Sequence, residues 1–244
     1  MGPFSITDVR SQCEKPAIRR EWRELDAAGQ VAFLEAVTCL VDTPSVLTGK
    51  GSVYDDLALV HRQIGAKTHM LASFFPWHRT FLHVFESLLE ENCDYRNGLP
   101  YWDWTLDWQN ITASPVFDAT YGFGGNGYEG DESGCVRDGP LRTASLLYGP
   151  EESYDEIHPT HCLNRVFRHY ENHTLGSISG QHLRPASIRW ISKKPTYDGF
   201  RNATEILAHN SLHWGFHGDF SSNAAANGTN FCLATVAKTV LSRS

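Results

Sequence analysis

The sequence has no apolar run approaching the ~20 residues of a membrane span; its best stretch, Val31 to Val41, is interrupted by Glu35 and Thr38. It has no CxxC pair, which removes zinc-ribbon and thioredoxin-like readings. Positive charge is scarce. Twenty-one Lys+Arg against 28 Asp+Glu leave a net −7, the wrong sign for a phosphate backbone, so nucleic acid is not expected as a partner. No repeat, low-complexity tract or Pro/Gly/Ser-rich linker divides the 244 residues, and a single domain over 1–244 is expected. The opening Met1-Gly2-Pro3-Phe4 has neither the basic start nor the apolar stretch of a signal peptide.

Against these absences stands a surplus. The 12 His are about twice the average usage, and neutral imidazole is the commonest side-chain ligand for copper and zinc. Six widely spaced cysteines (Cys13, Cys39, Cys93, Cys135, Cys162 and Cys232) fit disulfides in an oxidising compartment, with the pairing left open. Asn-x-Ser/Thr sequons begin at Asn110, Asn172, Asn202 and Asn227. Together these predict a secreted glycoprotein whose export signal is missing from this chain.

Apolar spacing predicts a helix over Ala27–Asp42, packed in a core through Val31, Phe33, Leu34, Val37, Leu40 and Val41. Ser52 is placed to cap a second helix running to His61. Pro76 suits the first turn of a third, over 76–92. The pattern breaks up between Thr105 and Arg201, where glycines crowd 122–139. A fourth helix is predicted from about Asn202 through Glu205, His209 and His213. The fold class is therefore mainly α with long loops.

Two histidine constellations follow. His209 and His213 sit four apart on the fourth helix, on one face, where they can share a metal. Chance alone gives about 0.6 such pairs at this histidine content; His169/His173 and His213/His217 are the others, and His169/His173, with His173 inside a sequon, reads as a solvated surface pair. Asn210 stands where a zinc protease needs its general-base Glu, which disfavours a zinc hydrolase. The second constellation is His61, His69 and His78. One ends the second helix, one lies in the loop, and one starts the third. Three imidazoles without thiolate or carboxylate suit copper better than a closed zinc site; spacing alone leaves three unrelated polar residues equally open.

The surrounding words decide. Phe74 to Leu89 (FFPWHRTFLHVFESLL), with Trp77-His78-Arg79 and Phe85-Glu86, and then Pro100-Tyr101-Trp102-Asp103-Trp104, resemble the tyrosinase and polyphenol oxidase family of type-3 copper proteins. Cys13 through Arg19-Arg20-Glu21-Trp22 is similar to its short secreted fungal members, and the likeness spans about 13–220. The resemblance implies a four-helix bundle holding two coppers between helix pairs. It places His61, His69 and His78 on CuA, and His209 and His213 on CuB. It also implies oxidation of o-diphenols to o-quinones by dioxygen, with hydroxylation of monophenols as an added possibility. By the same likeness Asn210 and Glu205 would hold the water that deprotonates a monophenol; their plainer readings are a helix-surface amide and a first-turn carboxylate. Lys67 occupies the place where longer fungal enzymes put a Cys bonded to a ligand His, so that crosslink is not expected. Asp103 either orients a neighbour or caps a turn.

One departure stands out. The third CuB histidine of the family follows an Asp-Pro-x-Phe segment, and no such segment and no His follow His217. His217 lies eight residues beyond His209, about 12 Å along a straight helix, too far to converge without a chain bend. The expectation is a chain truncated within its bundle, with an off-pattern tail over 221–244 in which Cys232 lacks a family counterpart. The second reading is a copper-binding remnant with CuA filled and CuB incomplete. Phenol and dioxygen are the expected partners, with no nucleic acid and no membrane; oligomeric state is left open.

Overall fold

A computed structural model describes residues 18–127, 134–148, 160–169 and 171–221. Cys13, Cys232, Asn227 and the tail beyond residue 221 lie outside the described residues. Helix α1 spans Ala27–Asp42, and Asp26 caps it by accepting the Gly29 N–H at 2.8 Å. Its Phe33, Leu34, Ala36, Val37 and Leu40 are buried, as the apolar spacing requires. Helix α2 spans Val53–Ile64 and starts on a capping box: Ser52 Oγ accepts the Asp55 N–H while Asp55 accepts the Ser52 N–H. Helix α3 spans Phe74–Cys93, burying Phe81, Leu82, Phe85 and Leu89. It ends at Asp94 in the left-handed conformation, φ 53°. α1 packs against both α2 and α3, and the Cys39–Cys93 disulfide joins the ends of α1 and α3.

Among the described residues β pairing is limited to isolated bridges, so the fold is helical, as expected. Two expectations need correction. The stretch between Thr105 and Arg201 contains a helix, α4 (Pro185–Ser192), entered through Pro185 and burying Ile188 and Ile191. The fourth expected helix begins earlier than Asn202. Thr196 caps α5 (Tyr197–Ala203), which continues without a break through π-helical turns over Thr204–His209 into α6 (Asn210–Phe216). Gly199 in the first turn hides that start from a propensity reading, because glycine is unfavourable inside a helix; its amide is used by the Thr196 cap at 3.1 Å.

The loops between α3 and α4 are held by buried polar groups rather than by strands. Arg165, buried, donates to the carbonyls of Phe123, Gly124 and Gly125 at 2.8, 2.5 and 3.0 Å. The Cys135–Cys162 disulfide closes the same region. Gly124, at φ 76°, passes so close to the Asp138 carbonyl oxygen that a Cβ would lie 2.5 Å from it. The Pro100–Trp104 motif is part of this frame. Trp102 and Trp104 are wholly buried, and Trp102 Nε1 donates to Asp107 at 2.7 Å. Asp103 resolves to a turn cap, accepting the Thr105 N–H at 3.0 Å.

Candidate metal centre

His61 sits in the last turn of α2, His69 in the turn after it, and His78 in the second turn of α3. One nitrogen of each lies within 4.8 Å of the other two. Ring centroids are 5.1 Å apart for His61–His69, 5.1 Å for His69–His78 and 5.8 Å for His61–His78. Backbone carbonyls set the tautomers. His69 Nδ1 lies 3.0 Å from the Gly65 oxygen and His78 Nδ1 2.6 Å from the Phe74 oxygen. A carbonyl only accepts, so each Nδ1 carries the proton and each Nε2 keeps its lone pair. This is the outer-shell arrangement of metal-bound imidazoles.

His209 and His213 come from a segment about 130 residues further along the chain. The helix from α5 to α6 carries them, and the π-helical turns between add one residue of phase, about 100° of rotation. They bring His209 to 5.9 Å from His69 and 6.3 Å from His78, ring to ring, and His213 to 4.4 Å from His209. Phe74 packs against both His78 and His209, at 4.5 and 5.2 Å. Five imidazoles from two distant chain segments thus form one cluster. His213 Nδ1 faces the Phe220 oxygen at 2.5 Å, and His209 Nδ1 faces Asn210 Oδ1 at 2.9 Å. Their Nε2 atoms stand 3.0 Å apart. With both Nδ1 atoms donating, two lone pairs oppose each other there.

Burial shapes the electrostatics. It pushes the His78 imidazolium down to about 3 and His213 down to about 4, and holds His209 well below the ordinary range. These three imidazoles are therefore neutral near pH 7, the form a metal binds. His78 Nε2 is buried and has no hydrogen-bond partner, an arrangement that costs free energy unless something accepts the lone pair. An all-imidazole donor set with such an orphaned nitrogen fits a copper-type ion.

The cluster opens to a cavity of about 260 Å³ whose walls include His69, Glu205, Asn210, Trp214 and Phe220. Glu205 is buried; Oε1 accepts the Met70 N–H at 2.6 Å and Oε2 accepts from Arg201 Nη1 at 2.8 Å. Asn210 orients His209 as described. Lys67 lies in the turn before His69, where its carbonyl accepts the Ser73 hydroxyl. His217 does not join the cluster. It leaves α6 at φ 45°, its Nδ1 accepts the Gly218 N–H at 2.9 Å, and its Nε2 lies 3.2 Å from Arg168 Nη1. Burial, with the Arg168 charge, lowers its imidazolium pKa. His169 and His173 do not share a helix: the His169 carbonyl accepts the His173 N–H at 2.7 Å, and His173 is exposed at φ 60°. The sequence reading gives no role to Phe74, Met70, Arg201 or Trp214. Only Arg201 leaves a signal, its i,i+4 spacing to Glu205.

Comparison with known proteins agrees with this geometry. The model for the common central domain of tyrosinase matches residues 51–233. The tyrosinase ustQ of Aspergillus flavus is 42% identical over 223 residues, covering 88% of this chain and 60% of the relative. The tyrosinase-like protein phomQ2 of Diaporthe leptostromiformis is 40% identical over 222 residues, 89% of this chain and 55% of the relative. The chain thus spans between half and two thirds of the length of these curated relatives. A mutant polyphenol oxidase from Thermothelomyces thermophila shares the fold with a TM-score of 0.77 at 24% identity, over 95% of this chain and 71% of its own.

Proposed function

The chain belongs to the tyrosinase family, and on that premise we propose that it is a copper-dependent oxidase of phenols using dioxygen. Its reaction is the conversion of o-diphenols to o-quinones, with ortho-hydroxylation of monophenols as the further capacity. The observation that carries this reading is the convergence of five imidazoles in two facing groups. His61, His69 and His78 would hold one copper, and His209 and His213 would contribute to a second. Copper bound there supplies activation of dioxygen and accepts electrons from the phenol.

The chain's own residues do the rest. Neutral imidazoles kept so by burial present lone pairs at neutral pH without competing protons. Phe74 keeps water away from the face between His78 and His209. The aromatic walls of the opening, Trp214 and Phe220, accept a phenol ring. Asn210 Oδ1 holds the His209 ring. Each Glu205 oxygen has a second lone pair beyond its bond to Met70 or Arg201. That leaves Glu205, with Asn210, able to hold a water that takes the phenolic proton. The two disulfides among the described residues support an extracellular, oxidising compartment. Among the described residues no helix is long and apolar enough to cross a membrane.

A second reading has one observation in its favour. His217 is turned away from the cluster, its Nδ1 taken by the Gly218 N–H and its Nε2 facing Arg168, so among the described residues the second group holds two imidazoles. The alternative is a copper-binding protein with only the triad filled. Elemental analysis of copper per chain, run beside catechol oxidation, separates the two. Two coppers with turnover support the oxidase; one copper without turnover supports the alternative.

A further inference from the structure

Beside the imidazole cluster lies a cationic corner that the oxidation chemistry leaves unused. Because His217 Nδ1 accepts the Gly218 N–H, its ring proton sits on Nε2. That Nε2 faces Arg168 Nη1 at 3.2 Å, and a guanidinium offers only donors. Two N–H groups therefore point at one another with no acceptor between them. Arg168 Nε is buried without a hydrogen-bond partner, and no ion pair among the described residues engages Arg168. In a chain of net charge −7, no acid among the described residues pairs with this guanidinium.

The backbone holds the pair in place. The Arg168 N–H donates to the Gly215 carbonyl at 2.9 Å. Gly218, at φ 57°, lets the chain turn where a Cβ would lie 2.1 Å from Asn164 Oδ1. The corner opens into a cavity of about 310 Å³ lined by Arg168, His173, Trp214, His217 and Ser221. Trp214 and Ser221 also line the opening over His209 and His213. The two spaces share a wall, within reach of one small molecule.

We propose that Arg168 and His217 form a carboxylate subsite, so that the phenol this chain takes bears a carboxylate on its side chain. An anionic oxygen at that point accepts from Nη1 and from Nε2, which removes the donor–donor opposition and gives the guanidinium its missing charge partner. Trp214 spans the distance between the ring over the imidazoles and the carboxylate in the corner. The proposal rests on the phenol-oxidase reading above, and the experiment keeps the two separable.

Calorimetry on the copper-loaded protein, without oxygen at pH 7, compares 3-(4-hydroxyphenyl)propionate with 4-ethylphenol, the same ring without the carboxylate. The carboxylate is expected to bind about tenfold more tightly, as a charge-assisted hydrogen-bond pair provides. Arg168→Gln should bring the two affinities together, while Arg168→Lys keeps part of the difference. Equal affinities in the wild type, which needs no variant to fold, overturn the proposal, as does a preference that survives Arg168→Gln. So does binding of inorganic phosphate, lost in Arg168→Gln, alongside equal affinities for the two phenols, which would make the corner a free-anion site. If catechol is not turned over but propionate binds the wild type and not Arg168→Gln, the carboxylate site stands and the oxidase reading falls.

Discussion

The backbone N–H of Met70 donates to Oε1 of Glu205 at 2.6 Å, a bond between positions 135 apart in the chain. It fastens the turn carrying His69 to the π-helical turns that lead into His209, and so couples the two halves of the imidazole cluster. The other oxygen of Glu205 is held by Arg201, itself buried. Met70 adopts φ 60° to make the bond, a conformation that persists only where its surroundings enforce it.

Glu205→Ala should therefore destabilise the fold by about 3 kcal/mol, because it leaves the buried Arg201 charge with only the exposed Asp198 carboxylate at 3.8 Å. Glu205→Gln keeps an acceptor for Met70 and should lose less. Urea unfolding followed by circular dichroism measures both, and equal losses would mean that the ion pair contributes nothing beyond the Met70 bond.

His78→Ala should lower the copper content by one ion per chain, read by elemental analysis after loading and dialysis. His83→Ala, on the exposed face of α3, is the control and should leave it unchanged. Parallel losses in both variants would move the metal away from the triad.

Acid should unfold the metal-free protein through its imidazoles. His78, His209 and His213 have folded pKa values depressed by burial, about 3 for His78 and about 4 for His213. Between those values and the ordinary 6.5 the unfolded chain binds more protons than the folded one, so their contribution is present above pH 6.5 and lost as pH falls. Denaturant midpoints of the copper-free protein should drop between pH 6.5 and pH 4, and copper should oppose the drop until protons displace it. A flat profile across that range would show the imidazoles to be solvated.

Replacing Cys39 and Cys93 together by Ala should cost about 4 kcal/mol on the chain-entropy estimate for a loop closed over 54 residues. Reduction of the wild type should reproduce the loss in thermal midpoint. The effect should fall on the α1–α3 contact, with amide exchange rising first near Phe33 and Leu89.

Local order was legible in the residues themselves. Helix α1 runs over Ala27–Asp42 as its apolar spacing demands, and Ser52 caps α2. The histidines on α2 and α3 could be named because tryptophan, proline and arginine neighbours mark that segment as strongly as the histidines do. Helix α4 and the start of α5 were missed because both are short and carry proline or glycine at their entry, where propensity is weakest.

Sequence alone determined which side chains were available for the site: a histidine-rich, acid-heavy chain with helices at set places. Tertiary packing decided which of them meet. The approach of His209 to His69, the pairing of Cys39 with Cys93, the bond from Met70 to Glu205 and the opposition of Arg168 to His217 each join residues dozens of positions apart. Helical periodicity acts over three or four residues and carries no information at that range. Only burial of the shared core, from Trp22 and Phe33 through Trp102 to Phe216, brings those segments to a common distance.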